Sequence, residues 1–123
     1  MRGIVKATKA LSDETRLRIL NLLLVRECCV CEVMQVLDVS QTRASRNLNL
    51  LHDAGFLKVR RDGLWAYYSI DKSSPQNYLT LLLKSVELGL RDNEIASLDR
   101  EYLKEAQRLG PQCCTPVQEA TSA

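Results

Sequence analysis

The dipeptide Asp62-Gly63, set between two β-rich runs, limits the folds open to this chain more than any other feature. Both residues tolerate φ > 0, so residues 56–61 and 64–70 are expected to pair as an antiparallel hairpin closed by a two-residue turn. Counting back from that turn sets Arg60 across from Trp65 and Val59 across from Ala66. Arg60 is then expected over the indole, a contact worth ~0.5–1 kcal/mol when exposed. The hairpin follows directly on a segment of helical period. Ser40 is an N-cap, Ala44, Leu48 and Leu51 recur at helical spacing, and Gly55 ends the helix in the left-handed conformation. The opposite side of residues 40–54 carries Thr42, Ser45, Arg46 and Asn49, all able to donate or accept hydrogen bonds. Such a helix is ~22 Å long, enough to lie in a DNA major groove.

The remaining elements complete the pattern. Residues 2–10 are weakly amphipathic. Ser12-Asp13-Glu14 supplies a cap and first-turn acids for a helix bearing Leu17, Ile19, Leu20, Leu23 and Leu24 and ending near Val25. Val30, Val33, Met34 and Leu37 mark a third helix. Beyond the hairpin, Ser73-Ser74-Pro75 caps a helix with Leu79, Leu81, Leu82, Leu83, Val86, Leu88 and Leu90, apolar on nearly every side, which in a small protein implies a partner chain. A further amphipathic stretch (Ile95, Leu98, Tyr102, Ala106, Leu109) runs to Gly110-Pro111. The expected fold is mainly α with a small β-hairpin: a winged helix-turn-helix, homodimeric through its terminal helices. Residues 1–110 form the DNA-binding and dimerisation domain, and 111–123 a cysteine-containing, flexible tail.

Cysteine placement carries the chemistry. Of 123 residues five are Cys and one is His. Cys28, Cys29 and Cys31 crowd one box, and Cys113 and Cys114 sit side by side near the end. Neighbouring cysteines rarely meet the Cα spacing of a disulfide, ~4.4–6.8 Å, but they can offer soft donors to a thiophilic ion. Sulfurs on one ion lie within roughly 4 Å of each other. On a regular helix Cys29 and Cys31 stand about 200° apart, so sharing an ion is expected to require an unwound first turn, and that distortion would be the switch. No apolar stretch opens the chain as a signal peptide would, and none is long enough to span a membrane, so a cytoplasmic protein with reduced thiols is expected.

The net charge of +2 does not announce a nucleic-acid binder. Locally, Arg43, Arg46, Lys58, Arg60 and Arg61 face only Asp53 and Asp62, a basic stretch suited to phosphates. Gln41, Thr42, Ser45, Arg46 and Asn49 are the candidates for base edges or phosphates. Arg43, Arg60 and Arg61 are the candidates for phosphates, which position without specifying. No Ser/His/Asp set, glycine-rich phosphate loop or paired acids point to an enzyme.

Leu11-Ser12-Asp13-Glu14-Thr15-Arg16-Leu17-Arg18-Ile19-Leu20 resembles the opening signature of the ArsR/SmtB metal-sensing repressors. Ser40-Gln41-Thr42-Arg43-Ala44-Ser45-Arg46-Asn47-Leu48, Leu51-His52-Asp53-Ala54-Gly55-Phe56-Leu57 and Arg61-Asp62-Gly63-Leu64-Trp65-Ala66-Tyr67-Tyr68 extend the resemblance over roughly residues 5–90. Cys29-Val30-Cys31-Glu32 is similar to the Cys-Val-Cys-Asp box of the arsenite- and antimonite-responsive branch. The resemblance implies a homodimeric repressor of an arsenic-resistance operon, released from operator DNA when As(III) or Sb(III) binds thiolates. Met34 stands where some relatives carry a third cysteine, leaving Cys28, Cys113 or Cys114 as the third sulfur. Zinc-type sensing on the last long helix needs His, and residues 78–109 contain none. His52 reads as a helix-end residue. The alternatives are a thiol redox or persulfide sensor of the same fold, or a metalloid-sequestering thiol protein with no DNA role.

Overall fold

The computed structural model describes residues 1–73 and 77–108. Its elements are α1 (Arg2–Leu11), α2 (Glu14–Val25), β1 (Cys28–Cys29), α3 (Val30–Leu37), α4 (Gln41–Asp53), β2 (Leu57–Asp62), β3 (Trp65–Ile70), α5 (Asn77–Leu90) and α6 (Glu94–Leu103). The cap of α4 is Ser40, as read from sequence, while that of α2 is Asp13, one residue after the expected Ser12. Asp13 Oδ2 accepts from the Arg16 N–H at 3.0 Å and Ser40 Oγ from the Arg43 N–H at 3.1 Å, each satisfying a backbone donor that the first turn leaves open. Asn93 does the same for Ala96 at α6. The cap expected at Ser73-Ser74-Pro75 falls largely outside the described residues.

α2 is the central helix, packed against α1, α3, α4, α5, α6 and β3. That explains why Ile19, Leu20, Asn21, Leu22 and Leu23 are buried in succession where the sequence predicts a stripe. Neighbours on every side leave no solvent face at mid-helix. Phe56, Leu48, Leu51, Val33 and Leu103 are fully buried as well, each contributing roughly 1.5–3 kcal/mol of burial. The polar Asn21 is accommodated because its Nδ2 donates to Ala96 O at 3.0 Å and its Oδ1 accepts from Arg100 at 2.7 Å. Arg18 and Asp99 pair at 2.7 Å, fixing α6 to α2.

The sheet departs from expectation in two ways. It has three antiparallel strands in the order β1-β3-β2, because Cys28 and Cys29 pair with Tyr68 and Tyr67. The hairpin turn is also one residue later than counted. Asp62 pairs with Trp65, so the loop is Gly63-Leu64, and Arg60 lies across from Tyr67, not Trp65, with Val59 across from Tyr68. Gly63, at φ 63, takes the first central position, where a type II′ turn needs glycine, whereas Asp62-Gly63 as loop would have asked for φ > 0 at Asp62 as well.

A second difference lies after α6. The helix expected to run on to residue 109 ends at Leu103, and the chain turns back across α3. Gln107 N–H donates to Gln35 Oε1 at 3.0 Å while the Gln35 amide donates to Gln107 O. These bonds replace the helical ones that Gln107 gives up, while Ala106 N–H still turns back to Leu103 O at 3.2 Å.

α4 ends in a Schellman motif: Phe56 N–H reaches Leu51 O at 3.1 Å and Gly55 N–H reaches His52 O at 3.0 Å. Gly55 has φ 99, and a Cβ there would sit 2.9 Å from Leu79 Cδ1. Gly55→Ala is expected to destabilise the fold by about 1–2 kcal/mol, measured as a lowered denaturation midpoint with unchanged slope.

Candidate functional site

Strand alternation divides the cysteine box. In β1 the side chain of Cys28 points to the core face of the sheet, with Leu57, Tyr68 and Ile70. Cys29 points to the outer face, where it clusters with Cys31, Tyr67 and Trp65. Cys29 is not helical. It is the N-cap of α3, with φ −92 and ψ 171, so its Sγ folds over the first turn and lies 2.9 Å from Cys31 Sγ. The unwinding expected as a condition for convergence is therefore unnecessary, because the pair is already together. None of Cys28, Cys29 and Cys31 is in a disulfide.

Cys28 is ill placed as the third donor. It belongs to the other face, its Sγ is 3.5 Å from Arg26 O, and burial, aided by the Glu32 charge, pushes its thiol up to about 12. Among the described residues no three Cys, His, Asp or Glu side chains converge as a metal site. Cys113 and Cys114 lie outside the described residues.

The thiol pair is covered. Cys29 and Cys31 are 0% and 1% exposed, with Gln107 O 4.0 Å from Cys31 Sγ. Trp65 and Tyr67 stack beside it, ring centroids 5.8 Å apart. The guanidinium carbons of Arg60 and Arg108 lie 4.4 and 4.5 Å from the Tyr67 ring centre. Acids at either end of the box hold these cations: Glu27 takes Arg60 through two bonds, 2.7 and 3.2 Å, and Glu32 takes Arg108 at 3.2 Å. Sequence reasoning assigned Arg60 to phosphates and missed Glu27, Tyr67 and Arg108. The signal available was the row pairing Arg60 with Tyr67, which the correct turn would have given.

Glu32 is 2% exposed. Besides Arg108 it takes Arg26 at 2.7 Å and accepts the Cys29 N–H at 2.9 Å. Burial opposes its ionisation, yet the Cys29 N–H, Arg26 and Arg108 outweigh it and hold the carboxyl below its ordinary value. The Arg60 hydrogen bond likewise lowers Glu27.

The second candidate surface is the outward side of α4. Thr42, Ser45, Arg46 and Asn49 line one shallow concavity with Leu50 and Asp53. Gln41 stands beside it at the first turn and Arg61 is exposed on the wing. Arg43, by contrast, reaches back to Thr15 Oγ1 at 3.0 Å. Asn47, which the sequence left unassigned, is buried and takes Arg16 at 3.1 Å, so two bonds tie α4 to α2. His52 is at the helix end, 3.8 Å from Asp53.

A carboxylate with a lowered pKa stabilises above its unfolded value and loses that contribution as pH falls through the folded one. Glu32→Gln is expected to cost about 1.5–3 kcal/mol at pH 7, the worth of a hydrogen bond to a charged group. The gap from the unsubstituted protein should close as pH drops below 4.5, read by urea denaturation at a series of pH values.

Residues 13–59 match the family described as "Bacterial regulatory protein, arsR family". The arsenic resistance transcriptional regulator ArsR1 of Pseudomonas putida is 44% identical over 80 residues, 63% of this chain and 61% of that protein. The chain thus spans about three fifths of that relative. ArsR2 of the same organism is 40% identical over 91 residues, 71% of this chain and 79% of that protein. Among solved structures, the homodimeric winged helix-turn-helix DNA-binding domain of a possible ArsR-family regulator from Mycobacterium bovis superposes with TM-score 0.61. It is 28% identical and covers 76% of this chain and 82% of its own. The match to ArsR2, 40% identical and covering 79% of that protein, places this chain in the ArsR family of bacterial transcriptional regulators.

Proposed function

We propose that the chain is a homodimeric repressor that reads operator DNA with α4 and releases it when a trivalent metalloid, As(III) or Sb(III), binds Cys29 and Cys31. The observation that carries this reading is the 2.9 Å approach of the two sulfurs at the cap of the helix just before α4. A soft ion needs thiolates within bonding reach of one point, and this pair needs little rearrangement to supply two. The names of the relatives point to the same inducer. The third donor is assigned to Cys113 or Cys114. Residue 108 lies over the site, and the five residues on to Cys113 can span about 17 Å.

Dimerisation is proposed through the terminal helices. Leu81, Leu88, Ile95, Leu98 and Tyr102 on α5 and α6, with Ile4 and Val5 on α1, are exposed apolar side chains of the kind a second copy covers. Two α4 helices would then meet half-sites about 34–36 Å apart on an inverted repeat. Gln41, Thr42, Ser45, Arg46 and Asn49 are the proposed groove residues, with Arg61 on phosphate. Arg43 and Arg60 already use their guanidiniums within the chain.

The test is anisotropy of a labelled operator, selected by the protein from random DNA, titrated with arsenite under full reduction. The expected result is a 5–150-fold weakening, abolished in Cys29→Ser/Cys31→Ser and retained in Cys28→Ser. Release that persists without both sulfurs overturns the assignment. The same approach of the sulfurs favours one second reading, a dithiol sensor in which an oxidant takes two electrons and two protons to form the disulfide. Release only with oxidant, and none with arsenite, would select it. A protein that binds arsenite but selects no DNA would be a sequestering protein instead.

Arg46→Ala is expected to weaken operator binding by about 1–3 kcal/mol if Arg46 reads a base. A gel-shift titration at fixed salt checks this, and unchanged affinity removes Arg46 from the interface.

A further inference from the structure

The central strand β3 carries one row of residues straight across the sheet. Tyr67 has Cys29 as its partner on one side and Arg60 on the other. The outer face of the sheet thus joins half of the thiol pair to the wing through a single buried ring. Nothing loose separates them. The Arg60 guanidinium lies 4.4 Å from the ring centre and is fixed by both oxygens of Glu27, one residue before β1. On the thiol side, Gln107 and Arg108 close the site, and Arg108 packs 4.5 Å from the same ring.

An ion seated on Cys29 and Cys31 needs bonds of ~2.3 Å to each sulfur. Both sulfurs are sealed from solvent, so the ion must move what covers them. Among the described residues the covering groups include Gln107, with Arg108 beside it, and the aromatic pair Trp65 and Tyr67. Displacing the Tyr67 ring alters the seat of Arg60, and with it the wing. A ligand shifts a conformational equilibrium only through contacts that differ between the two states, and this row supplies such a difference at the wing.

We infer that Arg60 is a positioning residue, held by Glu27 and Tyr67, that carries the state of the thiol pair into the wing, and that it is not a DNA-phosphate contact. This rests on the proposed thiol inducer site and adds its route to the DNA. The route runs through the sheet. α4 remains braced by Arg16 and Arg43, and the wing is the part whose placement changes.

The experiment uses the full chain, sodium arsenite as probe and the selected operator. Glu27→Gln and Arg60→Gln are compared with the unsubstituted protein, with folding checked by thermal melting. Three readouts are taken: arsenite binding by near-ultraviolet sulfur–arsenic absorbance, operator Kd with and without arsenite, and the slope of log K against log salt. Both variants are expected to bind arsenite as before and to bind arsenite-free operator within about twofold. The factor by which arsenite weakens operator binding should fall about threefold or more. The salt slope of Arg60→Gln should not change, whereas loss of a phosphate contact lowers it by about 0.9. A lowered slope, or a full arsenite response in Glu27→Gln, overturns the inference while the thiol-site reading stands. If the unsubstituted protein shows no arsenite response, both fall together.

Discussion

The Glu32 carboxylate holds three separate parts of the chain at one buried point. It accepts the N–H of Cys29, which fixes the cap of α3, and it binds Arg26 at the end of α2 and Arg108 beyond α6. Arg26 in turn donates to Leu103 O, the last residue of α6. A buried carboxylate is costly unless paired and fully hydrogen-bonded. Here that demand specifies the geometry: only when the α2 end, the α3 cap and the C-terminal segment all arrive is the charge satisfied. The convergence of Cys29 and Cys31 follows from it, since the extended backbone at Cys29 is what its N–H needs to reach Glu32.

The two faces of the sheet give this arrangement its separation of duties. The core face, with Leu57, Tyr68 and Ile70, packs on α2 and the helices around it. The outer face holds thiols, aromatics and paired arginines. Rigid support below and a compact polar cluster above would let a change at the sulfurs act sideways along the strands, without first loosening the core. α4 is buttressed differently, by Arg16 on Asn47 and Arg43 on Thr15. Reading head and wing are therefore anchored to different neighbours.

Much of this was legible in the residues because local rules agree with the fold. Ser40 and Gly55 mark helix ends by hydrogen-bonding chemistry that needs no tertiary context, and the apolar positions of α4 repeat with its turn; at α2 the same chemistry falls on Asp13, one residue past the expected cap. The family assignment follows from the same segments. Three things were not legible. A two-residue strand such as β1 has no periodicity to detect, and it exists only because β3 offers an edge. The turn was misplaced by one because Asp62-Gly63 and Gly63-Leu64 both satisfy a two-residue loop, and the choice rests on the sign of φ at a single position. The return of residues 106–108 over α3 depends on Gln35 and Glu32, which are distant in sequence. Each of these misses falls on the thiol site, where long-range partners overrule local preference.

Adjacent residues of a strand look in opposite directions, so the doublet Cys28-Cys29 splits filler from reagent across one peptide bond. A substitution of the first by alanine or valine is a question of volume alone, while the second has no isostere that keeps its chemistry. Sliding this strand by a single residue would exchange the two sulfurs and wall the useful one inside the hydrophobic interior. The proposed sensing thus hangs on parity: whether an odd or an even number of residues separates the end of a helix from its neighbouring cap.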